Sequence, residues 1–249
     1  MKFAVISDTH ANLEALQAVH QDILTHGISD IYHLGDIVGY GPNPKECIKF
    51  FQDSGIYSLK GNHDDIVATG ALGMCNWYAK ESLVWTKRQL NPQEKKYLQS
   101  LDFVRVFEHE NITMAHANMQ NPRDYNYILH KHHAEDSFDV MKEGQIGVIG
   151  HVHRPGLWYC IGSQIEYKNF EENEEHTSDE KTKVIVNVGA VGQPRDLDNR
   201  ACWVEYSGKI FKMHRVSYPL EITQEKLKAL KGINPKVTEV LAGRLKEGR

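Results

Sequence analysis

The chain has no apolar run approaching the ~20 residues that a membrane-spanning helix needs. Its opening apolar stretch ends at Ser7-Asp8, too short for the core of a secretory leader. A membrane or secreted protein is therefore not expected, and a cytoplasmic one is. The sequence also lacks paired cysteines: Cys47, Cys75, Cys160 and Cys202 are far apart and form no Cys-x-x-Cys spacing, which excludes a zinc knuckle and a disulfide framework. It lacks a basic excess as well. A formal charge of -4 over 249 residues provides no field for non-specific nucleic-acid binding as the main task, though metals could still supply local positive charge for phosphate chemistry. There is no internal repeat, and the length suits one domain, 1–249, with a sizeable core.

What is present is a series of short apolar runs, each stopping at a good metal ligand. The central one, Ile31 to Gly41, leads through Gly35 into Asp36. Val5-Ile6-Ser7 leads into Asp8-Thr9-His10, and Ile56 to Lys60 into Gly61-Asn62-His63-Asp64. Ile112 to Ala115 leads into His116, and Ile146 to Ile149 into Gly150-His151-Val152-His153. Such runs read as buried strands. In open α/β sheets, ligand sites lie beyond the carboxyl ends of strands, so five such ends are expected to meet in one crevice with Asp36 as a bridging carboxylate. Together they offer enough oxygen and nitrogen donors for two divalent ions, with positions left for water and substrate.

Between these runs the pattern is helical. Asn12 is expected to cap a first helix, and Asn43-Pro44-Lys45-Glu46 to open a second with a capping box. Strand and helix alternating at this spacing predict mostly parallel pairing. Residues 65–101 read as a helical segment, with a further capping box at Asn91-Pro92-Gln93-Glu94; it either caps the cleft or packs outside a sheet. Residues 121–133 read as a surface loop. The loop includes His130-Lys131-His132-His133, which is kept out of the site because a lysine interrupts it and no regular spacing converges its rings. From Ile146 onward, strands at 146–149, 156–161, 184–188, 202–206 and 210–216 predict antiparallel hairpins and a second sheet. The Glu-rich stretch 169–183 reads as an exposed loop. Residues 222–249 read as a helical tail, with Asn234-Pro235 opening its second helix.

These five motifs, in this order, resemble the calcineurin-like metallophosphoesterases. The resemblance implies a two-sheet β-sandwich of mixed strands flanked by helices, an α/β fold covering nearly the whole chain. It also implies a metal-dependent phosphoric ester hydrolase, acting on phosphodiesters or small phosphomonoesters by attack of a metal-bridging hydroxide. Matched position by position, Asp8, His10 and His153 would hold one ion, Asn62, His116 and His151 the other, and Asp36 both. The ions are expected to be manganese first, with iron, zinc, cobalt or nickel also compatible. His63 matches the catalytic histidine, and Asp64 is expected either to assist it or to form the turn after the strand. Asn62, His63 and Arg195 are the expected substrate-binding residues, Arg195 because a guanidinium fork suits phosphate. The stretches Asp8-Thr9-His10-Ala11-Asn12, Tyr40 to Pro44 and Gly189 to Arg195 are most similar to the small bacterial and archaeal phosphodiesterase-type branch. The protein phosphatase branch continues Gly-Asp with Asp-Arg-Gly; here Gly35-Asp36 continues with Ile37-Val38-Gly39, which weakens a phosphoprotein or bis-nucleoside tetraphosphate substrate. A nuclease or nucleotide pyrophosphatase on the same centre, with a nucleic acid or nucleotide as substrate, stays open, as at lower weight does a non-enzymatic metal-binding scaffold.

Overall fold

The computed structural model describes residues 1–72 and 75–249. Two six-stranded sheets face one another. In the first, β1 (Lys2–Ile6), β2 (Ile31–His33) and β3 (Tyr57–Ser58) run parallel. The second contains β4 (Val104–Phe107), the parallel strands β5 (Ile112–Ala115) and β6 (Ile146–Ile149), and the hairpin β7 (Pro155–Ile161) and β8 (Gln164–Asn169). It is joined by β10 (Lys183–Val188), parallel to β6 and antiparallel to β7. The first sheet is completed by β11 (Ala201–Ser207), antiparallel to β1, then β12 (Ile210–Val216) and the edge strand β9 (Glu175–Thr177).

Side-chain alternation along the strands divides the core into layers. Phe3 and Val5 of β1, Val184, Val186 and Val188 of β10, and Cys202, Val204 and Tyr206 of β11 fill the space between the sheets. Their neighbours Ala4, Ile6 and Trp203 face outward against helices α1 (Leu13–Thr25) and α2 (Pro44–Ser54). Ile149 and Ile185 face outward on the other side, against Ala134 and Phe138 of α6 (Lys131–Asp139). Each such fully buried aliphatic or aromatic side chain contributes about 1.5–3 kcal/mol. A one-residue register slip would turn every one of these faces over.

Several expectations need correction. The hairpin β11–β12 does not belong to the second sheet; it closes on β1 of the first, with Phe3 opposite Tyr206 and Val5 opposite Val204, because its inward residues complete the same apolar layer. The stretch 169–183 is not all loop: β9 lies within it, ordered by the open edge of β12 through Phe211 opposite His176. Asn43 makes no side-chain cap on α2; its Oδ1 instead accepts from Lys226 Nζ at 3.4 Å. In His130-Lys131-His132-His133 the first three residues are exposed and His133 is half-buried, and the stretch is not a loop, since it starts α6 with His130 at the cap position. Asn12 and Asn91 do cap their helices.

The segment 65–101 carries most of α3 (Asn62–Thr69), then α4 (Trp77–Gln89) and α5 (Pro92–Ser100); its Gly73 and Met74 lie outside the described residues. Val67 of α3 and Leu98 of α5 share the outer core of the first sheet. In the tail, α7 (Leu220–Lys228) and α8 (Pro235–Glu247) meet through Leu227, Leu241 and Leu245, with Tyr40 and Ala79 in the same cluster. None of the helices described is long and apolar enough to cross a membrane.

Candidate metal centre

Because β1, β2 and β3 are parallel in one sheet and β5, β6 and β10 in the other, their carboxyl ends open onto the same edge. The seven expected ligands, Asp8, His10, Asp36, Asn62, His116, His151 and His153, come together there, with all but Asn62 buried. Three groups of converging donors result: Asp8, His10 and His153; Asp36, His116 and His151; and His10, Asp36 and His63. Asn62 joins the second through its Oδ1, 3.3 Å from His116 Nε2.

The backbone is bent to achieve this. Asp8, His10, Asp36, His151 and His153 all have φ between 47° and 64°, a left-handed conformation that costs a non-glycine residue about 1–2 kcal/mol. Such strain, repeated at five positions that converge, is the pattern of a functional site held by its surroundings. Two glycines make the close approach possible. A Cβ on Gly61 would stand 2.0 Å from Asp36 Oδ1, and one on Gly39 would stand 2.1 Å from His63 Nδ1.

Each carboxylate divides its two oxygens between scaffold and site. Asp8 Oδ2 accepts the His151 amide at 2.9 Å, while Oδ1 lies 3.1 Å from His153 Nε2 and 3.7 Å from His10 Nε2 with no hydrogen bond of its own. Asp36 Oδ1 accepts the His63 amide at 2.8 Å. Its Oδ2 stands between the two groups, 3.6 Å from His10 Nε2 and 3.4 Å from His116 Nε2. Burial pushes both carboxyls up, but the surrounding imidazoles outweigh it and hold both far below the usual range, so both are ionised.

The histidine tautomers follow from the main chain. His10, His116 and His153 each donate Nδ1–H to a carbonyl, of Val38 at 3.2 Å, Leu34 at 3.1 Å and Gln193 at 2.6 Å. Burial lowers the pKa of His10 and of His153, so both rings are neutral and the proton they carry sits on Nδ1. Their Nε2 atoms then face each other at 3.1 Å with two lone pairs and no hydrogen between them. A cation resolves that repulsion, and the fixed Nδ1–H bond is how proteins orient a metal-ligating imidazole. In the second group, His116 Nε2 and His151 Nδ1 are 3.1 Å apart. Burial lowers the His116 pKa, but the Asp36 and Asp8 carboxylates raise it to about 9, so without metal this position gathers a proton. The donors therefore fit divalent cations, and a metal entering here displaces that proton.

Of the two places expected for Asp64, its hydrogen bonds match the one in the turn. Its Oδ2 accepts the amides of Asp36 at 2.8 Å and Gly61 at 3.1 Å, with Ile37 at 3.3 Å, and its Oδ1 accepts that of Val38 at 3.2 Å. No hydrogen bond joins it to the His63 ring among the described residues. Burial and the Asp36 carboxylate push its carboxyl up to about 7 against the pull of these amides. Asp64 thus cradles the loop that carries Asp36. Asp64→Asn keeps the shape but turns an amide NH2 toward donors. It should lower stability by about 2–4 kcal/mol in urea denaturation and metal affinity by about 10–100-fold in chelator competition. Unchanged affinity would mean that the loop holds Asp36 without it.

The centre opens into a cleft of about 680 Å³ bounded by Asn62, His63, Tyr40, Tyr125, Tyr127 and Arg195, with Ala79 and Leu83 of α4 on one wall. Arg195 donates to Gln193 Oε1 at 3.0 Å and to the Tyr40 hydroxyl at 3.4 Å, while its buried Nε has no partner. The His63 ring packs 4.5 Å from Tyr40 and 4.7 Å from His10, with Nδ1 unpartnered. Sequence reasoning missed Tyr125 and Tyr127, from the 121–133 loop; Tyr127 stacks on the His151 ring at 3.9 Å. The aromatic residues in an otherwise polar loop were the available signal.

A sandwich of two mixed sheets that gathers carboxylates and imidazoles at one edge, beside an arginine-walled cleft, defines a metallophosphoesterase. Residues 1–209 match the calcineurin-like phosphoesterase superfamily domain, and the chain belongs to that superfamily. By class it is a metal-dependent phosphoric ester hydrolase. It is 32% identical to a metallophosphoesterase from Sphaerobacter thermophilus, with a TM-score of 0.84 over 100% of this chain and 99% of the other. An uncharacterized protein of Methanocaldococcus jannaschii is 35% identical over 251 residues, 99% of this chain and 98% of that one. A hypothetical protein from Pyrococcus horikoshii shares the fold at 18% identity, with a TM-score of 0.73 over 96% and 97% of the chains.

Proposed function

We propose that the protein hydrolyses phosphodiesters or small phosphomonoesters at a two-ion centre. Asp8, His10 and His153 would hold one ion, Asn62, His116 and His151 the other, and Asp36 would be shared. The observation that carries this reading is the pair of neutral imidazoles, His10 and His153, whose Nε2 lone pairs face one another beside the unpartnered Asp8 Oδ1. Divalent ions bound there supply Lewis acidity toward a phosphoryl oxygen and toward water. The chain's own residues do the rest. Arg195 offers its guanidinium to a phosphoryl oxygen, His63 faces the same space from the first turn of α3, and Tyr125 and Tyr127 wall the cleft. Manganese is the first expectation, and mixed nitrogen and oxygen ligation also admits iron, zinc, cobalt or nickel. The reading takes 1–249 as one domain, with α4 and α5 beside the cleft as a cap, working in a reducing cytoplasm that keeps the exposed Cys75 a thiol.

The test is hydrolysis of bis-p-nitrophenyl phosphate and p-nitrophenyl phosphate by chelator-stripped protein, with single metals added back and bound metal counted by elemental analysis. Turnover restored by metal, with two ions per chain, is the expected result. Two bound ions without turnover of either ester would sink the general phosphoesterase reading in favour of a binding scaffold.

A further inference from the structure

Beside the metal-centre cleft lies a second hollow, of about 520 Å³, that shares Arg195 with it as a common wall. Its polar lining is Arg154, Arg195, Arg244, Arg249, Asn169 and Asp196. The charge is one-sided. Asp196 pairs through Oδ2 with Arg215, which is not in the lining, and its Oδ1 is buried without a partner among the described residues, while Arg249 pairs with Glu247 at 3.4 Å. Among the described residues, no carboxylate forms an ion pair with Arg154, Arg195 or Arg244. The Nε atoms of Arg195 and Arg244 are both buried without a partner. Arg154 spends its own Nε–H on the Arg195 carbonyl at 2.8 Å, which fixes its fork beside the other two. Arg244 lies over the Tyr78 ring at 5.3 Å and Arg195 over the Tyr40 ring at 5.7 Å, so aromatic faces hold the cations where counter-charges are missing.

Three guanidinium groups with no ion-pair partner among the described residues, Arg154, Arg195 and Arg244, set beside a single carboxylate that is paired elsewhere, are complementary to phosphate oxygens. The location links this hollow to the reaction. Arg154 directly follows the candidate ligand His153, and the Arg195 amide donates to the His153 carbonyl at 3.0 Å. Resting on the phosphoesterase reading, we propose that the hollow is a subsite for a second phosphate of the substrate. The preferred substrates are then phosphoesters that carry a further phosphate group away from the scissile one, and not esters whose only anionic group is the one attacked.

The test uses the full-length, metal-loaded protein and two paired probes. Adenosine 3′,5′-bisphosphate should bind at least about tenfold more tightly than adenosine 5′-monophosphate by calorimetry, since the extra phosphate meets charge-assisted donors. In the Arg154→Gln/Arg244→Gln double variant that gap should close. Both side chains are partly solvent-exposed, and a thermal melt checks that the variant is folded. The second pair is the 5′-p-nitrophenyl ester of thymidine monophosphate with and without a 3′-phosphate. It should show the same gap in kcat/KM, read as a ratio so that any general loss of activity cancels. Equal binding of the two adenosine nucleotides, or a gap that survives in a folded double variant, would overturn the subsite. A binding gap that closes in the variant while neither ester is hydrolysed would keep the subsite and bring down the phosphoesterase reading instead.

Discussion

Asp36→Asn should abolish metal-restored hydrolysis, by well over the roughly 100-fold that loss of a group supporting a ligand costs, and should leave at most one ion per chain. One Asp36 oxygen holds the His63 amide at 2.8 Å, and the other stands 3.6 Å from His10 Nε2 and 3.4 Å from His116 Nε2. An asparagine must turn its NH2 one way or the other. Facing His63, it sets donor against donor and loosens the start of α3; facing the imidazoles, it removes the ligand oxygen that stands between both groups. Neither orientation preserves the site, and the negative charge is lost in both. Elemental analysis beside a p-nitrophenyl ester assay reads both effects. A folded variant that keeps two ions and turns over within a few-fold of the parent would remove Asp36 from its shared position.

The strand ends were legible because three local signals coincide there: an apolar run, a residue that permits a sharp bend, and a side chain with a metal-donor atom. That is true of Gly35-Asp36, Gly61-Asn62 and Gly150-His151, and the convergence follows once the runs are read as parallel strands. The sandwich core was legible for the same kind of reason, since Val184, Val186 and Val188 alternate with residues of the opposite face. Elements ordered from outside themselves were not. The strand β8 is polar and largely exposed, and β9 owes its form to the free edge of β12, so neither has a periodic apolar signature. Which of its two expected places Asp64 takes was not legible for a related reason. Its partners are backbone amides of residues 36–38 as well as Gly61, and main-chain donors brought from another segment leave no trace in side-chain spacing. Tyr127 is set by the path of a loop, which sequence pattern does not fix.

His63→Ala should lower kcat by about 10²–10⁴-fold while the protein stays folded, and the way the loss divides between substrates tells what the ring does. Burial, with Arg195 and two neighbouring imidazoles on the same side and only Asp36 opposing, lowers the His63 pKa to about 4. The ring is thus neutral and carries a single N–H, while its buried Nδ1 has no partner. A neutral imidazole can donate a hydrogen bond to a phosphoryl oxygen throughout the reaction. To act as a general acid it would need a second proton that this environment opposes. Hydrogen bonding to the phosphoryl group predicts equal losses for a p-nitrophenyl ester and for a matched alkyl ester, because the interaction does not involve the leaving group. Protonation of the leaving oxygen predicts a small loss for p-nitrophenolate, which departs unaided, and a much larger one for the alkoxide. Equal losses are expected, and a loss concentrated in the alkyl ester would reassign His63 as the acid. Metal content must be measured on the same variant, since His63 also converges with His10 and Asp36. An ion lost together with the ring would make it a ligand, whereas full occupancy with reduced kcat would leave it acting on the substrate.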